Sequence, residues 1–245
     1  MIHTITHWSH LMRVSLMAIA ARAEGARRTF EAMPWWRKGW EALKLLARVR
    51  SINPYRLAGG LSERGRRCRV HPTAVVEASI LGDDVEIGPF AVVRASVIGD
   101  GAKIGEHCRV NVSSVGARAQ LSRGATLNLS VMMDEAFISQ GNGFQGCVFG
   151  RQAFVAWGAT AFDLTFGRDI QVWHKGLRAS SGVRFLGAAF GHRAKVMPHV
   201  IIGYGEEIAN DGFLVADPEQ VARRIPQELS SEPHVVRGGR AVPLR

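Results

Sequence analysis

A large apolar residue followed by glycine returns every seventeen residues, as Leu81-Gly82, Ile98-Gly99, Val115-Gly116, Phe149-Gly150 and Phe166-Gly167, with Met132-Met133 in the same register. Within each unit the apolar residues are spaced six, six and five, as in Leu81, Ile87, Val93 and then Ile98, Ile104, Val110. A helix cannot use a spacing of six, because its faces repeat about every 3.6 residues. A short strand followed by a tight turn can. Three strands and three turns close a triangular coil, and stacked coils share one continuous core. The glycine suits backbone that bends or is closely approached.

The series continues through Val115, Leu121, Leu127, then Met132, Ile138, Phe144, then Phe149, Val155, Ala161, then Phe166 and Val172. After about residue 185 the spacing becomes six throughout, at Phe190, Val196, Ile202, Ile208 and Leu214. Small residues form their own columns: Ala102, Ala119, Ala136, Ala153; Ala91, Cys108, Ala125, Ala159; and Ser96, Ser113, Ser130, Ser181, with Cys147 among them. The pattern predicts an all-β solenoid, a parallel β-helix over residues 68–216, of nine or so coils and roughly 40 Å long. Residues 217–245 read as a short C-terminal helix, opened at Asp217-Pro218-Glu219 and running through Arg224 to a stop at Pro226, and then a loose tail.

Residues 1–67 differ in kind. They hold 13 of the 31 Lys and Arg and only 4 acids, whereas the remaining 178 residues are nearly balanced at 18 basic and 17 acidic. The basic charge therefore belongs to an arm and not to the folded body, which argues against a nucleic-acid-binding domain. Residues 9–33 and 35–50 of the arm read as helices. The second is amphipathic, with Trp35, Trp36, Trp40, Leu43 and Leu46 on one half and Arg37, Lys38, Glu41 and Lys44 on the other. It suits three occupants: the flank or open end of the prism, an anionic membrane surface, or a partner protein. No apolar run approaches the length of a membrane span, and the start lacks the features of a secretory signal. Three cysteines without a CxxC pair fit a reducing compartment, so the expected setting is cytoplasmic, with the inner membrane face as a peripheral site.

Segments such as Ile87-Gly88-Pro89-Phe90-Ala91-Val92 and Ile104-Gly105-Glu106-His107-Cys108-Arg109 resemble the hexapeptide repeat of the left-handed parallel β-helix acyltransferases. The resemblance covers about 150 residues. It implies left-handed coiling and a homotrimer with active sites between subunits. It also implies transfer of an acyl group from acyl-CoA or acyl carrier protein to a sugar or sugar nucleotide. Phe190-Gly191-His192-Arg193 is similar to the hexad carrying the family's catalytic base, and His192 falls in the matching place. Arg193 stands where the family has Asp or Asn, so an orienting acid would have to come from elsewhere, with Asp163 and Asp169 as candidates.

The residues themselves give a parallel reading. Acyl transfer needs a base for the acceptor's proton, and histidine suits neutral pH. His174 and His192 lie eighteen residues apart, one coil at a spacing of six, which predicts a column of Trp157, His174, His192 and Asn210 along one edge. Arg193 and Lys195 beside it could meet the phosphates of CoA or of a carrier's pantetheine. His107 and His199 read as turn residues, and His3, His7, His10 and His234 as solvated. The cysteines fall in inward columns and read as core. Two other readings compete with the enzyme. One is a non-catalytic trimeric scaffold. The other is a carbonic-anhydrase-like zinc site on His174, His192 and His199, whose spacing lacks that family's close pair; no metal is expected.

Overall fold

A computed structural model describes residues 5–49, 59–220, 222, 225 and 234–243. Its body is a parallel β-solenoid with a triangular section. The first face is an eight-stranded parallel sheet running from Glu63–Arg64 to Glu207–Ile208, and the second runs from Arg69–Val70 to Phe213–Leu214. The third has five strands, from Val75–Glu77 to Gly143–Gln145, and then Thr160–Ala161 pairs with Ile201–Ile202. Register follows the repeat, with Val97 beside Ser114 and Ile104 beside Leu121. The first strand, at Glu63, lies in residues whose charge marks them as arm.

The apolar–glycine pair has a physical cause. A Cβ at Gly99 would stand 2.7 Å from the Ala117 nitrogen, and one at Gly150 would stand 2.5 Å from the His192 nitrogen. The backbone of the next coil occupies that space. Turns demand a left-handed residue, and most positions supply it without glycine: Arg67, Asp84, Arg118, Glu135, Gln152, Arg193 and Asp211 hold φ of 56–60°. Each such residue costs about 1–2 kcal/mol. The turn hydrogen bonds offset it, as when the Arg118 N–H donates to the Asp100 carbonyl at 2.8 Å.

The aliphatic columns are buried, and Phe144, Phe149 and Phe190 nest at the coil junction, the last two stacked at 4.5 Å. The serine column is a ladder. The N–H of Ser113 donates to Ser96 Oγ at 3.1 Å, and that of Ser130 to Ser113 Oγ at 3.1 Å, while each hydroxyl donates to a carbonyl two residues back. Buried hydroxyls are thus satisfied in both directions.

The seventeen-residue rule fails after Ala161. Phe149 pairs with Phe190 and Val155 with Val196, so residues 163–186 leave the stack as an excursion. Phe166, expected in the core, is 93% exposed. Val172 is buried, but in a separate cluster with Ile170 and Leu186. The reason lies in the same columns. A coil at 166–182 would turn Arg178 inward, where a charge cannot go unpaired, and would put bulky Ile170 in the alanine column. Ser181 leaves with the excursion, and Ala188 follows Cys147 instead, its N–H 3.4 Å from the Cys147 sulfur. The excursion carries an antiparallel hairpin, Gln171–His174 with Leu177–Ser180, turned at Lys175 and Gly176.

Two helices precede the prism, α1 (Trp8–Ala32) and α2 (Trp35–Val49); residue 50 lies outside the described residues. His7 caps α1. It is α1 that lies along the first face, whose outward residues Ile80, Val97, Val131 and Val148 are apolar. Ser15 bonds Ser114 at 2.7 Å, Arg22 pairs with Glu63 at 2.9 Å, and Trp8 and Met12 pack on the excursion's cluster. At the far end Pro218–Gln220 form a single 3-10 turn, and the expected helix end at Arg224 and its stop at Pro226 lie outside the described residues. Part of the tail expected to be loose is a hairpin, His234–Arg237 with Arg240–Pro243.

Candidate functional site

One edge of the prism carries a ladder of side-chain acceptors. The Arg66 N–H donates to Asp83 Oδ1 at 2.7 Å, that of Asp83 to Asp100 Oδ1 at 2.8 Å, and that of Ala117 to Asp134 Oδ1 at 2.8 Å. The Arg151 N–H donates to His192 Nδ1 at 2.9 Å, and the His192 N–H to Asn210 Oδ1 at 2.7 Å. Nδ1 stands as many bonds from Cβ as a carboxylate oxygen does, so histidine substitutes for Asp in this column. A backbone N–H can only donate. The bond therefore leaves Nδ1 unprotonated and puts the neutral ring's proton on Nε2. The second nitrogen of His192 is a donor, and it becomes a base only after the ladder bond opens.

Arg193 is bound to Asp211, Nε to Oδ1 at 2.6 Å and a terminal nitrogen to Oδ2 at 2.7 Å. Those bonds hold the Asp211 carboxyl below the usual carboxylate range. Lys195 is exposed on the second face, in register with Phe154 and Phe213.

His174 is elsewhere. The excursion removes it from the stack, so the expected neighbour relation with His192 does not form. It sits half-buried on the hairpin, with the His7 ring edge-on at 5.8 Å. Among the described residues no hydrogen bond reaches its ring. His7, which the sequence reads as solvated, is the link. Its Nε2 donates to the Trp173 carbonyl at 2.9 Å, and its Nδ1 accepts the Ser9 N–H at 3.3 Å. Burial, foremost, lowers its pKa, although the Trp173 bond and Glu207 oppose. Arg178 lies over the Trp173 ring at 4.4 Å and pairs with Glu206 at 2.5 Å.

Trp157, expected beside His174, instead meets His199, rings at 5.0 Å and nearly perpendicular. The three histidines of the zinc reading thus go to three places, and among the described residues no group of His, Cys, Asp and Glu could hold a metal ion. Asp169 faces Ser180 at 3.4 Å and the Asp163 carbonyl accepts from Leu186, both within the excursion. Burial pushes the Cys108 thiol up to about 11 and the Cys147 thiol up to about 12, as befits core residues. His107 is exposed in its turn and stacks on Phe90 at 5.1 Å. Two partners escaped sequence reasoning. Asp211 lies eighteen residues after Arg193, so the coil spacing could have found it. Nothing in the spacing could have found His7.

Residues 78–112 match the family described as bacterial transferase hexapeptide (six repeats). No curated protein matches the chain. Among solved structures it is similar to a mutant perosamine N-acetyltransferase from Caulobacter crescentus in complex with CoA and GDP-perosamine, at 13% identity and a TM-score of 0.34, over 60% of this chain and 53% of that one. The chain thus spans about half the length of that protein. A hexapeptide transferase family protein from Anaplasma phagocytophilum is similar at 18% identity and a TM-score of 0.23, over 60% of this chain and 77% of that one.

Proposed function

We propose that this parallel solenoid, which carries the hexapeptide repeat of bacterial transferases over residues 78–112, is an acyltransferase. It moves an acyl group from acyl-CoA or acyl carrier protein to a sugar or sugar nucleotide, as a cytoplasmic homotrimer. The observation that carries this reading is the excursion. It interrupts an otherwise continuous stack and brings out His174, a half-buried imidazole with no hydrogen bond to its ring among the described residues. His174 takes the proton from the acceptor's hydroxyl or amine as that group attacks the thioester carbonyl. The carbon–sulfur bond then breaks, and His174 returns the proton to the leaving thiolate. His192 lies apart from His174 within one chain, so its Nε2–H donates to the developing oxyanion from a neighbouring subunit of the trimer. Lys195, in no ion pair among the described residues, is the better phosphate partner. Arg193 must share its guanidinium with Asp211. Trp157 offers an exposed ring for the donor.

The scaffold reading has its own support. His192 and Arg193 are both engaged in bonds between coils, which is what a purely structural column would show.

Thiol release from acetyl-CoA, a long-chain acyl-CoA and an acylated carrier protein, over a panel of amino sugars and sugar nucleotides, separates the two. Asparagine already serves this ladder at residue 210, so His192→Asn keeps the acceptor and removes the imidazole. His174→Gln is expected to lower turnover about 100-fold or more with donor binding unchanged. Absence of binding and of thiol release with every donor would leave the scaffold.

A further inference from the structure

α1 and α2 are joined only by Met33 and Pro34, yet they differ in what covers them. α1 lies on the prism. Among the described residues nothing covers the apolar face of α2 in this way: Trp35 is 85% exposed, Trp36, Trp40 and Leu43 are each 56% exposed, and Leu46 is 37% exposed. Side chains of this size placed contiguously on one helix face mark an interaction surface. We propose that α2 is an interfacial anchor that lays this protein on an anionic lipid surface, with the tryptophans and Leu43 among headgroups and upper acyl chains and Arg37 and Lys44 at the lipid phosphates.

Charge selects this occupant over a second copy. Residues 35–49 hold four basic side chains and one acid, within an arm that concentrates the excess positive charge of the whole chain. Two copies of α2 meeting face to face would bring like charges together along both flanks. An anionic surface meets them with opposite charge. The cations already sit at the rim of the aromatic face, Arg37 at 5.6 Å from the Trp36 ring centre and Lys44 at 5.8 Å from that of Trp40. Tryptophan over such a rim fits the headgroup boundary, where one end is apolar and the other wet. The long axis of α1 makes room for it. Arg22 reaches the first coil at Glu63, and α1 continues ten residues further, to Ala32, about 15 Å at 1.5 Å per residue. α2 therefore begins beyond the open end of the prism. The Lys38 ammonium donates to the Glu31 carbonyl at 2.8 Å and fixes the corner between the helices.

This inference is independent of acyl transfer, and its test uses no activity. The full chain would be floated with vesicles of phosphatidylcholine alone and of phosphatidylcholine with phosphatidylglycerol. Binding should be at least tenfold greater with the anionic lipid and should weaken as salt rises. Arg37→Ala and Lys44→Ala should each weaken it about fivefold. Trp40→Ser with Leu43→Ser should abolish it while leaving the melting temperature unchanged, because that face is already exposed. Trp157→Ser, an exposed tryptophan on the prism, should have no effect. Equal binding to neutral vesicles, no binding to either, or insensitivity to the α2 variants would overturn the proposal. So would a loss of self-association in Trp40→Ser, measured by sedimentation, which would identify a second copy as the occupant.

Discussion

The stack between Ser62 and Phe149 and the excursion at 163–186 are built from similar residues and obey different rules. In the stack the partner of a group lies seventeen residues away: Ser113 to Ser96, Arg118 to Glu135, Ile98 beside Val115. In the excursion the partners are local, as with Asp169 and Ser180, or they come from a later coil, as with Arg178 and Glu206, or from α1 and its cap, as with His7, Trp8 and Met12. Where every coil rests on an identical neighbour, one offset decodes all contacts. Where the neighbour is a different element, position in the sequence says nothing about who it is.

Two phenylalanines from one sequence column offer the sharpest way to break this contrast. Phe149→Ala removes a fully buried ring stacked on Phe190 and should cost about 3–5 kcal/mol. Phe166→Ala removes an exposed ring and should change stability by less than about 0.5 kcal/mol. Denaturant titration of the two variants reads the difference. Equal losses would mean that residues 166–182 form a coil after all.

His192 supplies a smaller effect within the stack. His192→Ala leaves the Arg151 N–H without its acceptor and should cost about 0.5–1.5 kcal/mol, the net worth of an accessible hydrogen bond. His192→Asn keeps the ladder and should stay within about 0.5 kcal/mol of the parent. If Asn were as costly as Ala, the ring and not its Nδ1 would be what the column needs, and the kinship with Asp134 and Asn210 would fail.

The same contrast explains what was legible in the sequence. The prism, its three faces, its inward columns and its serine ladder follow from spacing, because burial selects large and small residues at fixed intervals. The excursion was legible in principle: Arg178 at an inward position and Ile170 in an alanine column both forbid the next coil. The role of α1 was harder to see, since its apolar residues match no internal repeat, although Ile80, Val97, Val131 and Val148 pointing outward announce that something covers that face. At the candidate site, His192 and Arg193 could be found by register but their bonds could not. Asp211 stands one coil after Arg193, so spacing names it as a neighbour but not as a two-bond counter-ion; Nδ1 as a ladder acceptor depends on which way the ring turns, and spacing does not fix that.

The mildest prediction concerns the contact between the two regimes. Burial lowers the pKa of His7 in the folded protein, and the neighbouring His174 and His10 add to that while Glu207 and the Trp173 carbonyl oppose it. The folded state thus takes up this proton less readily than the unfolded state does. The contribution of His7 is complete above its ordinary value of about 6.5 and is lost as pH falls below that toward the lowered folded value. Protonating Nδ1 also removes the acceptor for the Ser9 N–H and puts a cation at the positive end of α1. Hydrogen exchange, corrected for intrinsic rates, should show residues 8–12 and 170–174 losing protection between about pH 7 and about pH 5, with residues 80–150 unaffected. His7→Asn, which caps a helix without titrating, should remove the dependence. Parallel loss across the stack would mean that prism and excursion open as one unit, and the difference between them would then be one of pattern alone.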